Sequence, residues 1–507
     1  MSNPQPVVRT SAGRVSGELV DGVLRFLGVP YAAPPLGQLR LQPPSPAEPW
    51  AEVRSATAFA EPPRQRTLGP AGRLIGQEDC LHLNVWTPGT EGAGRPVLLW
   101  IYGGGFEGGS TSEPRLDGAA FARLADVVVI TAAYRVGALG WAHLSDRGGR
   151  WERSSNVGLQ DQAAALEWVA ENVASFGGDP DSITVAGESA GAFSIAALLA
   201  LPQAARRIAR AALFSGSTAR VFPADAGREL TDRLLAAVGA PDRPEALLEL
   251  PVDAIVAAQG EVIDRDIGRR NAPGGRSWGI VHDGVVLAET PEQALAAGRA
   301  AGIPLLLGST EDEVSLFRAV VPGFDPPDLA AVVAEMGGRV PPENAARLVA
   351  DYVALLGSED PGRVRDRLLT DVIYRLPSAG MADVAASAGG TAFVYRFGCR
   401  YSEALGAFHT SDVRFLLGTL DQPDTLFPLG DDPQLRALGA EMSLWFARFV
   451  RTGDPGWPAW RRPERTALRA DRTSREVADP DAAPRDIWAR ATSTPAAGSV
   501  SRTVAGR

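Results

Sequence analysis

Apolar residues in this chain gather into short uninterrupted runs, and between the runs they recur at helical spacing. Val97 to Ile101, Asp126 to Ala132, Ile183 to Ala186, Ala211 to Phe214, Pro304 to Leu307 and Ala392 to Phe397 each read as a buried strand. Glu78 to Trp86 alternates apolar and polar residues, as a strand with one buried face does. Residues 7–29 read as short alternating strands turned at Gly13, Gly17 and Gly22. Among the helical stretches, 156–173 is amphipathic and is closed by a turn at Gly177-Gly-Asp-Pro180 that feeds the Ile183 strand. Ala190 to Leu201 is an apolar helix stopped by Pro202, and 434–452 is a long amphipathic helix. Residues 26–40 form a proline-rich loop, and 43–77 are polar and irregular. Residues of about 220–300 and 320–390 are mainly helical, and the small, polar stretch from about 490 to 507 reads as a disordered tail. Strands alternating with helices predict an α/β fold, with a mostly parallel central sheet covered by helices on both faces. No repeat and no linker divides the chain, so the reading is one domain over 1–507 with a core of about 7–490.

Composition narrows what such a fold does. A hydrophobic content of 45% with 22% charged residues describes a soluble globular protein with an ample core. The net charge of −10 argues against nucleic acid and anionic membranes as partners. All 50 basic residues are arginine, which excludes a P-loop lysine, a Schiff-base lysine and an S-x-x-K nucleophile. Two cysteines, Cys80 and Cys399, make no disulfide framework and point to a reduced, cytoplasmic setting. The N-terminal residues lack the charged and apolar regions of a signal peptide, and the longest apolar stretch is too short to span a bilayer. His82, His143, His282 and His409 lie far apart, with no H-E-x-x-H and no C-x-x-C, so no metal site is expected.

The chemistry concentrates at Gly187-Glu188-Ser189-Ala190-Gly191, a G-x-S-x-G pentapeptide between a predicted strand and a predicted helix. A strand reversing sharply into a helix strains its turn residue, and the flanking glycines leave room for the reversal. The serine hydroxyl then stands clear of the sheet at a helix N-terminus, which favours the negative charge of acyl transfer. Upstream, the Val97 strand runs into Tyr102-Gly-Gly-Gly-Phe106, where consecutive glycines let backbone N–H groups point at one spot. This is the place of an H-G-G-G-type oxyanion loop, with tyrosine where that motif has histidine. His409 lies in a loop before a helix. His282 is its rival but reads as part of a turn, and His82 and His143 read as packed core histidines. Glu311, Asp312 and Glu313 are adjacent acids after the Pro304 strand, and spacing alone does not choose among them.

Taken together, Phe26–Arg40, Glu78–Trp86, Trp100–Phe106, Tyr134–Gly140, Asn156–Gly191, Gly308–Phe317 and His409–Gly418 resemble the type-B carboxylesterase family. This is the branch of α/β-hydrolases that includes cholinesterases and bacterial para-nitrobenzyl esterases. The resemblance covers nearly the whole chain. It implies an α/β-hydrolase fold with helical insertions around an active-site gorge, and a triad of Ser189 as nucleophile, Glu313 as acid and His409 as base. It also implies oxyanion donors at Gly104, Gly105 and Ala190, and ion pairs Arg40–Glu78 and Arg135–Asp161. Phe222 falls near an acyl-pocket aromatic, with Glu188 and Phe106 as further pocket candidates. Residues 62–77 contain no aromatic residue, so the cation–π site of the choline-binding members is missing. Cys80 sits where the family has a loop-closing cysteine, without a partner upstream. The function implied is a serine carboxylesterase acting on a small-molecule ester through an acyl-enzyme, with no cofactor. The same machinery acting on amides, carbamates or thioesters stays open, as does the choice of monomer or homodimer. A non-catalytic adhesion or scaffold protein is the remaining alternative.

Overall fold

In a computed structural model of the protein, which describes residues 5–67, 72–92, 94–402, 404–423 and 432–493, the apolar runs assemble into one sheet of eleven strands. In chain order these are β1 (Glu18–Val20), β2 (Val23–Pro30), β3 (His82–Thr87), β4 (Arg95–Ile101), β5 (Val128–Ala132) and β6 (Gly178–Glu188). They continue with β7 (Arg210–Phe214), β8 (Leu305–Thr310), β9 (Ala392–Phe397), β10 (Thr466–Ala470) and β11 (Arg475–Ala478). Across the sheet the order is β11-β10-β9-β8-β7-β6-β4-β5-β3-β2-β1. From β10 to β5 all neighbours are parallel. The two edges are antiparallel. Parallel strands need covered faces, which is why β5, β8 and β9 are buried at every residue.

Helices supply that cover. The main ones are α1 (Val157–Asn172), α2 (Ala190–Leu199), α3 (Ala224–Ala237), α4 (Pro361–Thr370), α5 (Leu376–Ser387), α6 (Pro433–Thr452) and α7 (Ala482–Thr492). Helix α2 is buried all round, as its almost wholly apolar sequence requires, and its one polar side chain, Ser194, donates to the Ala190 carbonyl. Helix α6 is capped by the Asp432 side chain, which accepts from the N–H of Gln434, and is ended by left-handed Gly453. Two arginine–carboxylate pairs tie loops to this frame. Arg40 grips Glu78 through two hydrogen bonds of 2.6 and 2.7 Å, and also donates to the carbonyls of Leu247 and Leu250. Arg135 grips buried Asp161 at 2.8 and 2.7 Å.

Strand β4 is the point where the strand order reverses, since the chain goes next to β5 on one side and then to β6 on the other. A crevice at the carboxyl ends of the strands opens at such a point. Register aligns Gly187 with Ile101, Glu188 with Phe214, and Phe214 with Gly308, so four strand ends meet there.

Some elements differ from their sequence reading. Gly177 is a left-handed helix cap, but Gly178 to Pro180 already belong to β6, which bulges between Gly178 and Ile183 to rejoin β4. His282 ends a short strand, Ile280–His282, paired with Val221–Pro223, and the turn begins only at Asp283. Helix α7 continues to Thr492, and residues 494–507 of the expected tail lie outside the described residues. Both cysteines are buried free thiols. Among the described residues no helix is long and apolar enough to cross a membrane.

Candidate active site

The turn from β6 into α2 carries Ser189 with φ 56° and ψ −122°, a strained backbone for a residue with a side chain. Both flanking glycines are required by the approach of β4. A Cβ on Gly187 would lie 2.5 Å from the Ile101 carbonyl oxygen, and one on Gly191 would lie 2.1 Å from it. The Ser189 N–H is pinned to the Phe214 carbonyl at 2.8 Å. The strain is therefore held by neighbours on both sides. Ser189 is only 7% exposed, and its hydroxyl points along the carboxyl ends of the sheet toward His409.

His409 Nε2 lies 2.8 Å from Ser189 Oγ, and Nδ1 lies 2.5 Å from Glu313 Oε2. A carboxylate at Nδ1 makes that nitrogen the donor, so the neutral ring presents Nε2 as an acceptor to the serine hydroxyl. Glu313 is wholly buried, and its other oxygen accepts from Ser215 Oγ at 2.7 Å and from the Thr310 N–H at 2.8 Å. The three adjacent acids thus divide their work. Glu311 pairs with Arg469, and Asp312 accepts from the Ala407 N–H at 2.9 Å, tethering the loop that carries His409. Only Glu313 reaches the ring. The other histidines lie elsewhere: His143 is buried against Ser155 Oγ, His82 opens β3 near Asp79, and His282 faces the Ala288 carbonyl.

Charge around the imidazole is mostly negative. Glu188 Oε1 lies 3.0 Å from His409 Nε2 without hydrogen-bond alignment. Burial pushes the Glu188 carboxyl up to about 7, against the opposing pull of His409 and Arg115. Burial likewise raises Asp412 to about 6, with Tyr395 donating to it at 2.6 Å. For His409 burial alone would lower the pKa, but Glu188 and Glu313 outweigh it and leave the ring above its ordinary value of 6.5.

The glycine loop lies against Ser189. A Cβ on Gly103 would fall 2.9 Å from Ser189 Cβ, and Gly104 and Gly105 take positive φ values of 118° and 65°. Among the described residues the N–H groups of Gly104 and Gly105 donate to no protein acceptor. Tyr102 anchors the loop: its ring stacks on Tyr134 at 4.5 Å, and each hydroxyl donates to the other residue's carbonyl. This is how a tyrosine serves at the position where the sequence motif has histidine. Phe106 follows in a left-handed conformation, edge-on to Trp141 at 4.7 Å.

Phe222 stands outside this cluster. It lines a cleft of about 60 Å³ with Trp141, Ser277, Gly279 and Val281, and neither Ser189 nor His409 borders that cleft. The rings of Phe222 and Phe106 flank Gly279, so Phe106 is the aromatic beside the glycine loop and Phe222 the one beyond it. Several neighbours of the site escape a reading of motifs. Ser215, left-handed at the end of β7, holds Glu313. Phe317 and Tyr374 pack on the His409 ring at 5.5 and 5.0 Å. Tyr374 sits on a π-helical turn, Asp371–Arg375, between α4 and α5, a local widening that recurs at functional sites. A strand-end position next to the strand that leads to Ser189 was the one signal available for Ser215. The π turn leaves no trace in the pattern.

Fold and site together define a serine hydrolase of the α/β-hydrolase class. Comparison with known proteins narrows this. The model of the carboxylesterase family matches residues 4–478. The para-nitrobenzyl esterase of Bacillus subtilis (strain 168) is 33% identical over 483 residues, covering 92% of this chain and 94% of that protein. A phenmedipham hydrolase of Pseudarthrobacter oxydans is 33% identical over 504 residues, covering 94% and 98%. Among solved structures, a Geobacillus stearothermophilus carboxylesterase at pH 6.2 superposes with a TM-score of 0.85 and 35% identity, covering 95% of this chain and 99% of its own. The chain belongs to the carboxylesterase family and is a carboxylic ester hydrolase.

Proposed function

We propose that Ser189, His409 and Glu313 are the catalytic triad of this esterase, and that Gly104, Gly105 and Ala190 supply its oxyanion hole. The observation that carries the reading is the unbroken chain from Ser189 Oγ through both ring nitrogens of His409 to Glu313. His409 takes the serine proton through Nε2 as Oγ attacks the ester carbonyl. The carbonyl oxygen, now negative, is received by the free N–H groups of the glycine loop and by the first N–H of α2. His409 then protonates the alcohol as it leaves, and activates the water that cleaves the acyl-enzyme. Glu313 holds the ring in one tautomer and stabilises it when charged. Ser215 and Thr310 hold Glu313. Glu188, a pocket candidate, faces Nε2 as a carboxylate that stabilises the protonated ring. The substrate is a small-molecule ester, a reading supported by a relative named for para-nitrobenzyl esters, and the setting is the cytoplasm, supported by two unpaired thiols.

Hydrolysis of para-nitrophenyl acetate, with and without a covalent serine inhibitor, tests the assignment when followed by intact mass and peptide mapping. The expected result is turnover abolished by a single adduct on Ser189. Ser189→Ala is expected to lose roughly 10⁴-fold or more in kcat while folding normally. Retained turnover in that variant, or an adduct elsewhere, removes Ser189 from the nucleophile's role.

A further inference from the structure

Arg220 has no part in the chemistry above, yet it is buried at 7% exposure beside it. Its guanidinium carbon lies 5.2 Å from the ring centre of Phe106 and 5.8 Å from that of Phe193. Phe106 follows the Gly104-Gly105 pair. Phe193 sits one turn along α2, its N–H donating to the Ser189 carbonyl at 3.0 Å. The two rings that hold the guanidinium therefore flank the nucleophile. Nη2 donates to Ser277 Oγ at 2.8 Å, whereas Nε, also buried, has no hydrogen-bond partner.

Most of the other buried arginines make the contrast. Arg40 grips Glu78, Arg135 grips Asp161, Arg365 grips Glu335 and Asp266, Arg375 and Arg396 share Asp481, and Arg414 donates to the carbonyls of Leu420 and Gln422. Arg220 has no carboxylate within 4.0 Å among the described residues. Glu107, on the glycine loop, is already taken by Arg270 at 2.6 Å. Arg270 adds a second positive group, its Nη1 3.8 Å from where a Cβ on Gly105 would lie. Burial draws the Arg220 pKa down to about 10, which leaves it charged at neutral pH. A buried guanidinium offers five donors, and two aromatic faces accept none of them in the plane of the fork. An unpaired buried charge is costly, and a carboxylate is the group that best matches the fork's geometry.

We propose that Arg220 is the receptor for a carboxylate carried by the substrate, so that this enzyme prefers esters bearing an anionic group, such as half-esters of dicarboxylic acids. The proposal rests on the Ser189 mechanism and specifies its substrate class. A neutral ester leaves the Arg220 charge without a carboxylate partner, and an ester with a carboxylate supplies one.

The test compares kcat/KM at pH 7.5 for two matched pairs. One pair carries the charge on the acyl side, ethyl hydrogen adipate against ethyl adipamate. The other carries it on the alcohol side, 4-acetoxybutanoate against 4-acetoxybutanamide. In the wild-type enzyme the anion-to-amide ratio is expected to exceed one for at least one pair. In Arg220→Met that ratio should fall about 30-fold, the loss expected for a hydrogen bond to a charged group. Arg220→Lys should recover part of it, and carries the test if the methionine variant does not fold. The proposal is overturned by ratios below one for both pairs, or by a ratio unchanged in the folded variants. It is also overturned by an enzyme that cleaves para-nitrophenyl acetate but neither anion. An enzyme that cleaves nothing and forms no serine adduct overturns the esterase mechanism instead.

Discussion

Glu313→Gln is the sharpest test of how the site is wired. In the native protein one carboxylate receives three donors: His409 Nδ1 at 2.5 Å, Ser215 Oγ at 2.7 Å and the Thr310 N–H at 2.8 Å. Glutamine offers one oxygen and one NH₂ group in the same space. Two of the three donors converge on Oε1, and one of these is a backbone N–H that cannot turn away. Setting the NH₂ group against it would leave a buried donor unmatched, at about 1–3 kcal/mol. The glutamine oxygen therefore takes the Oε1 position, and the NH₂ group faces Nδ1. Nδ1 must then be an acceptor, which moves the ring proton to Nε2. Glu188 Oε1, 3.0 Å from Nε2, favours the proton there as well. A ring with Nε2–H cannot receive the serine proton. The expected fall in kcat is about 10⁴-fold, the loss given by the equivalent change in a Ser-His-Asp triad and about 5 kcal/mol of barrier. The assay is steady-state hydrolysis of para-nitrophenyl acetate, with thermal unfolding to confirm that the variant folds. A folded variant within tenfold of wild type would refute the reasoning. Glu311→Gln, which disturbs only the Arg469 pair, is the matched control.

Two further perturbations read the electrostatics. Glu188→Gln removes a carboxylate that raises the His409 pKa, and catalysis needs the neutral ring. The acidic limb of the kcat/KM profile should therefore move to lower pH, and a limb that stays or rises in pH contradicts the assignment. Asp481 receives Arg375 at 2.7 Å and Arg396 at 2.5 Å, all three buried. Burial pushes its carboxyl up, but the two arginines outweigh this and hold it down at about 2. Asp481→Ala should cost about 3–5 kcal/mol in urea unfolding at neutral pH, because it takes the carboxylate from buried Arg396 and leaves Arg375 with Asp371 at 3.4 Å. The contribution is full above about pH 4, the ordinary aspartate range, and is lost as pH falls toward the depressed folded value. The difference between wild type and variant should therefore shrink from pH 4 downward, and a difference that grows there excludes the pairing as its source.

Local chemistry determined much of this protein from sequence alone. The apolar runs fixed the parallel strands because a strand covered on both faces has no polar side to show. The pentapeptide at 187–191 marked the turn that carries Ser189, because only glycines fit where a Cβ at either flanking position would lie within 2.5 Å of the Ile101 carbonyl oxygen. The triple glycine after β4 marked the loop that lies against Ser189 for a similar reason. What sequence left open was every choice that depends on direction across the fold. Glu311, Asp312 and Glu313 are one residue apart, yet they face an arginine, a loop backbone and a histidine that lie 158, 95 and 96 positions away. His409 outranks His282 because the loop after β9 folds back over the end of β6, and no periodicity encodes that return. Ser215, Tyr374 and Arg220 carry no motif at all. They matter because separate strand ends and insertions meet at the reversal point beside β4, and only the packing of the whole sheet decides which side chains meet there.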